Sequence, residues 1–426
     1  MLSRTLLTIL FAVGCQQQPL NAAEGSAQPE SVNAGAVGNP YQRWELGPNR
    51  AKDFFPIAVW LQSPSNAPRF QAAGINLYIG LYQGPTEAQL ATLKKHNMPV
   101  ICEQNEVGLA HIDDPLIVAW AHDDEPDMAR DFKKFWNSDV KKLQAAWPGL
   151  YDDLGPDKPY KGWGIGIPPA WIVRDYQAIK AKDPRRPVFL NMSVDVAYEQ
   201  WPGRGDRTGK TEDIPEYLKG CDIGSFDIYP ACDDKKEVKG NLWLVPKGVS
   251  NLRTWSNDRK IVWNCIECTA ISDLSRKPRP RDTRAEVWMS LIHGSMGLVY
   301  FVHQFKPFNE HALLQDAEML AEVTRTNKQI HELAPVLNSP SSATPATVVS
   351  ANAEVPVAAM TKVNGTTTHV FAVAMRPGDT KATITVPGTT TATVTVLGEN
   401  RTIALTGGKF EDAFNDWDVH LYEIKP

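Results

Sequence analysis

The sequence lacks several features that would assign it to a large functional class. Its 44 lysines and arginines are balanced by 49 aspartates and glutamates, so the net charge of −5 gives no sign of a nucleic-acid partner. No glycine-rich phosphate turn follows the first apolar run, which argues against a dinucleotide site on a doubly wound open sheet. The spacing of His293 and His303 matches no zinc motif, so we predict no metal site.

The N-terminus has the layout of an export signal. Arg4 precedes an apolar run at residues 6–13, and small residues then lead to Cys15. We expect residues 1–23 to be this signal and the protein to be periplasmic, bound to the outer membrane as a lipoprotein, or secreted. Lipidation of Cys15, as the only membrane anchor, and simple cleavage near Ala22 both stay open. Residues 24–45 are predicted to form a flexible tether.

From residue 54 onward, one unit recurs eight times: a short apolar run, a polar end and a stretch with helical spacing. The apolar runs are residues 54–62, 75–82, 98–103, 117–127, 187–192, 222–229, 259–267 and 297–303. Strands that alternate with helices over this length predict the α/β class and a (β/α)8 TIM barrel, which we place at residues 46–337. The active site of such a barrel lies at the carboxyl ends of its strands.

Residues 343–426 have a different composition, rich in threonine, valine and glycine, with short alternating apolar runs between glycine turns. This pattern predicts a C-terminal antiparallel β-sandwich. Such a domain could bind polysaccharide or could pack against the barrel as a structural module. No aromatic cluster stands out on its strands, which favours the structural role.

Two glutamates at predicted strand ends have a specific neighbourhood, Glu125 after the fourth strand and Glu267 at the end of the seventh. The fourth and seventh strands lie on opposing sides of an eight-stranded barrel, so the two carboxylates are expected to face each other across its mouth. Three aspartates surround the first glutamate, namely Asp123, Asp124 and Asp127. Their like charge is expected to raise the pKa of Glu125 and keep it protonated, as a general acid requires.

These positions resemble those of the clan A retaining glycoside hydrolases, which carry an acid/base Glu after strand four and a nucleophilic Glu at the end of strand seven. Asp124-Glu125-Pro126 resembles the Asn-Glu-Pro of that clan, with Asp in place of the Asn that holds the sugar 2-hydroxyl. The resemblance implies that Glu125 is the acid/base, that Glu267 is the nucleophile and that Tyr229 supports it. It also implies hydrolysis of a β-linked oligo- or polysaccharide by double displacement, without a cofactor.

Further polar and aromatic side chains at predicted strand ends and in long loops would line a carbohydrate site. Besides Asp124 and Tyr229, they are Trp60, Glu103, Trp163, Asn191, Trp201, Asp227 and His303. Each of them could equally be a packing residue. The 13 tryptophans of the chain suit a sugar site, since aromatic faces stack on sugar rings.

Two loop features carry additional predictions. Residues 276–281 hold four cations, which could recognise sulfate or uronate groups of a galactan-like anionic polysaccharide or could form a solvated linker. Cys232 and Cys268 follow neighbouring predicted strands at the same end of the barrel, so a disulfide between them is plausible.

Two alternative functions remain open at this point. In one, the barrel is a surface glycan-binding protein whose carboxylates only hydrogen-bond sugar hydroxyls. In the other, the same carboxylates act in an inverting hydrolase. Retaining sites hold their two carboxyl groups about 5 to 5.5 Å apart and inverting sites about 6.5 to 9.5 Å apart.

Overall fold

The computed structural model describes residues 39–129, 140–146 and 166–425. The predicted export signal, Cys15 and Trp163 lie outside these ranges. Parallel strands form the first sheet: β1 (Ile57–Trp60), β2 (Leu77–Ile79), β3 (Val100–Glu103), β4 (Ile117–Asp124), β5 (Val188–Met192), β6 (Ile223–Phe226), β7 (Ile261–Val262), β8 (Asn264–Glu267) and β9 (Leu298–Phe301). Each strand coincides with one of the predicted apolar runs.

Helices alternate with these strands. They are α1 (Ala67–Ala72), α2 (Glu87–Lys95), α3 (Glu106–Ala110), α4 (Val140–Ala146), α5 (Pro169–Lys182), α6 (Ile214–Tyr217), α7 (Leu244–Trp255), α8 (Pro280–Ile292) and α9 (Ala317–Leu337). The start of α2 shows why the sequence is helical there: the Thr86 side chain accepts a hydrogen bond from the Gln89 N–H, and the Gln89 side chain accepts one from the Thr86 N–H. No helix in the described ranges is both long and apolar enough to span a bilayer.

The sheet closes into a barrel through a break in its seventh strand. β1 pairs with β2 on one side and with β9 on the other. The predicted seventh strand is divided at Trp263: its first half, β7, pairs with β6, and its second half, β8, pairs with β9. The backbone N–H of Trp263 still donates to the Gly224 carbonyl at 2.9 Å. The predicted (β/α)8 barrel is therefore confirmed.

The N-terminal end of the barrel is filled by a segment that precedes β1. Tyr41 and Trp44 are buried in the same cluster as the inward-facing side chains of the strands. The Tyr41 hydroxyl donates to the Met296 carbonyl at 2.8 Å and accepts from Trp263 Nε1 at 2.7 Å. Tyr41 and Trp44 thus belong to the packed barrel, although both lie within the segment predicted as a tether.

A two-stranded hairpin, β10 (Gln304–Phe305) and β11 (Phe308–Asn309), follows the barrel sheet. The C-terminal strands are β12 (Thr347–Ser350), β13 (Val357–Asn364), β14 (Thr367–Ala374), β15 (Thr380–Thr385), β16 (Thr391–Val396), β17 (Arg401–Thr406), β18 (Lys409–Phe414) and β19 (Val419–Ile424). They form an antiparallel sheet in the order β12-β15-β18-β17-β16-β19-β14-β13. Side chains from both halves of this sheet share one buried core, as in the predicted β-sandwich.

The C-terminal domain packs directly on the barrel. Its strands β13 and β14 contact α8 and α9, and the rings of Trp288 and Phe371 lie 5.3 Å apart across this interface. Met360, Phe371 and Leu421 belong to the same buried cluster as the barrel helices. This continuous apolar interface supports a structural role for the domain.

Candidate active site

Glu125 lies directly after β4, at the carboxyl edge of the barrel. Its backbone N–H donates to the Asn191 carbonyl of β5 at 2.9 Å, which continues the sheet pairing by one residue. Its φ of 46° is in the left-handed region, which residues with a Cβ rarely adopt. Strained backbone of this kind persists where the surroundings hold it, and it is common at functional sites.

A buried ionic network holds the segment that follows Glu125. Asp127 accepts hydrogen bonds from the backbone N–H of Ser193 at 3.1 and 3.2 Å and from its hydroxyl at 2.5 Å. Ser193 Oγ also lies 2.9 Å from Asp195, which pairs with Arg204 at 2.5 Å. Arg204 in turn pairs with Asp213 at 2.6 Å. Sequence reasoning missed this network, although Asp127 belongs to the acidic motif itself.

Three carboxyl groups meet at the barrel mouth. The Asn191 side-chain amide donates to Asp124 at 3.1 Å and to Asp227 at 3.3 Å. Asp227, which follows β6, also shares a side-chain hydrogen bond with Glu125. Two carboxyl groups can hydrogen-bond to each other only when one of them carries a proton. The arrangement therefore holds one proton between Glu125 and Asp227.

Burial is the main reason why this proton stays on Glu125. Burial raises the pKa of Glu125, and the charges of Asp227, Asp124 and Asp127 raise it further. The pKa of Asp227 is also raised, first by burial and then by the charge of Asp124. From the sequence, like charge from Asp123, Asp124 and Asp127 was expected to cause this shift, and Asp227 was not among the expected neighbours. Among the charged neighbours of Glu125, Asp227 has the largest effect, and only the fold brings it there.

Tyr229 is influenced by the same three carboxyl groups, those of Glu125, Asp124 and Asp227. Burial and then the charge of Asp227 raise the pKa of its hydroxyl, which is therefore neutral at physiological pH. Its ring packs against Phe301 of β9 with centroids 5.1 Å apart. The charge of Asp227 acts on Tyr229, and the support of Glu267 by Tyr229 stays a prediction.

Glu267 has a different environment. The residue ends β8 and is 0% exposed. Its two carboxylate oxygens accept hydrogen bonds from the backbone N–H of Ala231 at 2.6 Å and of Cys232 at 2.9 Å. Glu286 of α8, also fully buried, interacts electrostatically with Glu267. The described contacts of Glu267 thus lie toward the segment after β6 and toward α8.

Only one of the two buried glutamates, Glu267 and Glu286, is ionised. Burial and then the charge of Glu267 raise the pKa of Glu286 well above its usual value. Burial also raises the pKa of Glu267, but hydrogen bonds to its carboxylate, including those from the two backbone N–H groups, oppose this effect. Glu267 is therefore the ionised member, as a nucleophile must be, and Glu286 is the protonated one.

Three of the remaining predicted site residues lie at strand ends on the same edge. Trp60 ends β1, and Glu103 ends β3 with an exposed side chain. His303 follows β9, and its Nε2 lies 3.5 Å from Nε2 of Gln62. Trp201 instead lies in the loop after β5, with the Lys235 ammonium 5.6 Å from its ring centre.

The cations of residues 276–281 are neutralised by carboxylates. The pairs are Arg276 with Asp234 and Asp273, Lys277 with Asp316, Arg279 with Asp282 and Asp416, and Arg281 with Asp416. Asp416 belongs to the C-terminal domain, so part of this loop joins the two domains. The structure therefore offers no support for an anion-binding role.

The two thiols predicted to pair are both free. Cys232 Sγ donates to the Thr269 carbonyl at 3.0 Å, and Cys268 Sγ donates to the Phe301 carbonyl at 3.4 Å. Among the residues that the structure describes, no group of three or more His, Cys, Asp and Glu side chains is arranged to hold a metal ion.

Solved structures with this fold include glycoside hydrolases. Gan42B, a GH42 beta-galactosidase from G. stearothermophilus, aligns with a TM-score of 0.58 and 10% identity, over 92% of this chain and 100% of its own. An alpha-amylase from Geobacillus thermoleovorans, solved with acarbose, aligns with a TM-score of 0.50 and 12% identity, over 89% of this chain and 100% of its own. No family model matches the chain, and no curated protein matches it either. At such identities the likeness establishes the fold, a barrel followed by a β-domain.

Proposed function

We propose that this protein is a glycoside hydrolase that cleaves a β-linked glycan, with Glu125 as its proton donor. The observation that carries the proposal is the hydrogen bond between Glu125 and Asp227 at the carboxyl edge of the barrel. It keeps a carboxylic acid protonated beside the barrel mouth, which is what departure of a sugar leaving group requires. The barrel fold shared with glycoside hydrolases agrees with this function.

The same contacts suit the second half of a double displacement. Once Glu125 has given its proton to the glycosidic oxygen, its carboxylate lies beside Asp227 and Asp124. Like-charge repulsion then favours recapture of a proton, so Glu125 can deprotonate the water that attacks the glycosyl–enzyme intermediate. One residue would thus serve as acid and then as base.

Two carboxylates are candidates for the nucleophile, Glu267 and Asp227. Glu267 holds the position implied by the resemblance and is ionised, but its side chain is fully buried. Asp227 is half-buried and lies in contact with Glu125. We retain Glu267 as the predicted nucleophile and take Asp227 as its competitor. A mechanism-based 2-fluoroglycoside, followed by peptide mass spectrometry, would label one of the two.

We propose a neutral rather than an anionic glycan, because each cation of residues 276–281 already has a carboxylate partner. The β-galactosidase named among the similar structures makes β-galactosides the first substrates to test. Export through the N-terminal segment would give the protein access to extracellular glycans. Fractionation of cells that produce the full chain would test this localisation.

The decisive experiment is a panel of neutral and sulfated β-linked glycans assayed for released reducing ends. We expect turnover of at least one neutral β-glycan, with no gain from sulfation. Proton NMR of the first product would show the β-anomer if configuration is retained, and the α-anomer if the site inverts. Absence of hydrolysis across the panel would contradict the proposal and favour a glycan-binding protein.

A further inference from the structure

A second concave region lies beside the barrel mouth, between the segments that follow β8 and β9. Its volume is about 840 Å³. The first segment contributes Thr269 and Lys277, and the second contributes Phe308, Asn309, Glu310 and Gln315. We call this region the β8–β9 cleft. None of the residues that surround Glu125 lines it.

A row of aromatic rings connects the carboxylates to this cleft. Tyr229, beside Asp227, packs on Phe301 at 5.1 Å, and Phe301 packs on Phe305 at 6.0 Å. Phe305 pairs in register with Phe308 in the hairpin β10–β11. These two phenylalanines are 47% and 70% exposed. Large aromatic side chains presented to solvent in this way are typical of binding surfaces.

Polar side chains on the cleft wall contact one another, and these contacts fix their orientation. The Asn309 amide donates to Gln315 Oε1 at 3.0 Å, and Gln315 Nε2 lies 3.4 Å from Nε2 of His311. Lys277 is paired with Asp316, so the cationic part of the wall is neutralised. A ligand that suits this cleft has apolar faces for the rings and uncharged hydroxyl groups for the amides. Pyranose sugars have both.

We propose that the β8–β9 cleft is a distal sugar subsite, which binds units of a glycan chain whose scissile bond lies at Glu125. The aromatic row supplies the path between the two positions. This inference rests on the proposed function and deepens it: the protein is selective for oligo- or polysaccharides over disaccharides. Preorganised polar groups and exposed rings lower the entropic cost of ordering the chain.

The test uses Phe308→Ala and the matched control Val349→Ala, in the otherwise intact chain. Val349 is 67% exposed on β12 of the C-terminal domain, so both changes truncate an exposed apolar side chain without disturbing the core. kcat/KM is measured for neutral β-galacto- and β-gluco-oligosaccharides of two to six units. Binding of the same hexasaccharides is measured separately by calorimetry. For this measurement each protein also carries Glu125→Gln, which prevents turnover.

We expect kcat/KM to rise with chain length. Phe308→Ala should lower the value for the hexasaccharide on the order of tenfold, leave the disaccharide unchanged and weaken hexasaccharide binding by a similar factor. Val349→Ala should change none of these.

Binding that depends on Phe308 without any turnover would uphold the subsite while refuting the hydrolase. Turnover that is indifferent to Phe308 at every chain length would overturn the subsite and leave the hydrolase standing, whereas binding that is indifferent to Phe308 and occurs without turnover would overturn both. Absence of both turnover and binding would overturn both proposals.

Discussion

The barrel contains two pairs of acidic side chains that share similar chemistry but have different surroundings. Glu125, which lies on strained backbone, meets Asp227 at the mouth, beside a second aspartate. Glu267 and Glu286 meet between β8 and α8, fully buried, with two backbone N–H groups bound to the ionised member. In each pair one carboxyl group is protonated.

The difference between the pairs lies in what stabilises the charge. At the mouth no backbone N–H group among the described contacts is directed at Asp227, and the negative neighbours favour protonation of Glu125. In the buried pair the backbone N–H groups favour one fixed ionised state. A proton that can leave and return suits catalysis, whereas a fixed charge suits either a nucleophile or a structural role. Variants of the four residues can separate these roles.

The largest effect is expected for Glu125→Gln. The amide keeps the size of the side chain but cannot donate the acid proton, so kcat on a natural glycan should fall about 10²- to 10⁴-fold. The fall should be smaller for an aryl glycoside, whose leaving group needs little protonation. Glu354→Gln, an exposed change in the C-terminal domain, is the control. Wild-type turnover by Glu125→Gln would remove Glu125 from the chemistry.

Glu267 should affect both activity and stability. Glu267→Ala removes the acceptor of the Ala231 N–H, at a cost of about 1–3 kcal/mol measurable by urea unfolding, whereas the Cys232 N–H keeps the Tyr229 carbonyl at 3.1 Å. Glu267→Gln retains an acceptor and should fold with a smaller loss of stability. If Glu267 is the nucleophile, this folded variant is also inactive. Unchanged turnover by Glu267→Gln would restrict the residue to a structural role.

Asp227→Asn should change the pH dependence of turnover. The charge of Asp227 raises the pKa of Glu125, and kcat falls as the pH rises through that pKa. Removal of the charge lowers the pKa, so the alkaline limb of the profile should move to lower pH. Asp227→Glu keeps the charge and should leave the limb near its original position. Complete inactivity of Asp227→Asn, with Glu267→Gln still active, would instead identify Asp227 as the nucleophile.

The smallest effect concerns Glu286→Gln. Folding raises the pKa of the Glu286 carboxyl group, so the folded protein keeps this proton at pH values where the unfolded chain has lost it. The contribution of Glu286 to the free energy of unfolding therefore decreases as the pH rises above the ordinary Glu pKa of about 4.3. The amide removes this dependence. The variant should therefore gain stability relative to the wild type at pH 7.5 and gain less at pH 4.5. An equal change at both pH values would show that Glu286 does not hold a proton.

Most of the architecture could be predicted because strand and helix periodicities are local properties. The eight apolar runs and the Thr86 cap were recognisable along the chain. The apolar pattern is weak at two C-terminal strands, because β12 is largely exposed and β18 carries charged residues at alternate positions. The break at Trp263 and the buried segment at Tyr41 were missed because both depend on how the barrel closes.

The acidic motif after the fourth strand could be found because its residues are consecutive, and the barrel rule places such a motif at the mouth. The sequence by itself therefore determined the eight-unit barrel, the β-domain and the position of Glu125. Only the tertiary structure decided which groups act on that glutamate. Asp227 and Asn191 reach it through lateral pairing of β4, β5 and β6, and Glu267 is enclosed by α8 and the segment after β6. Electrostatic effects on a pKa depend on distance and burial, which are set by packing between residues far apart in the chain.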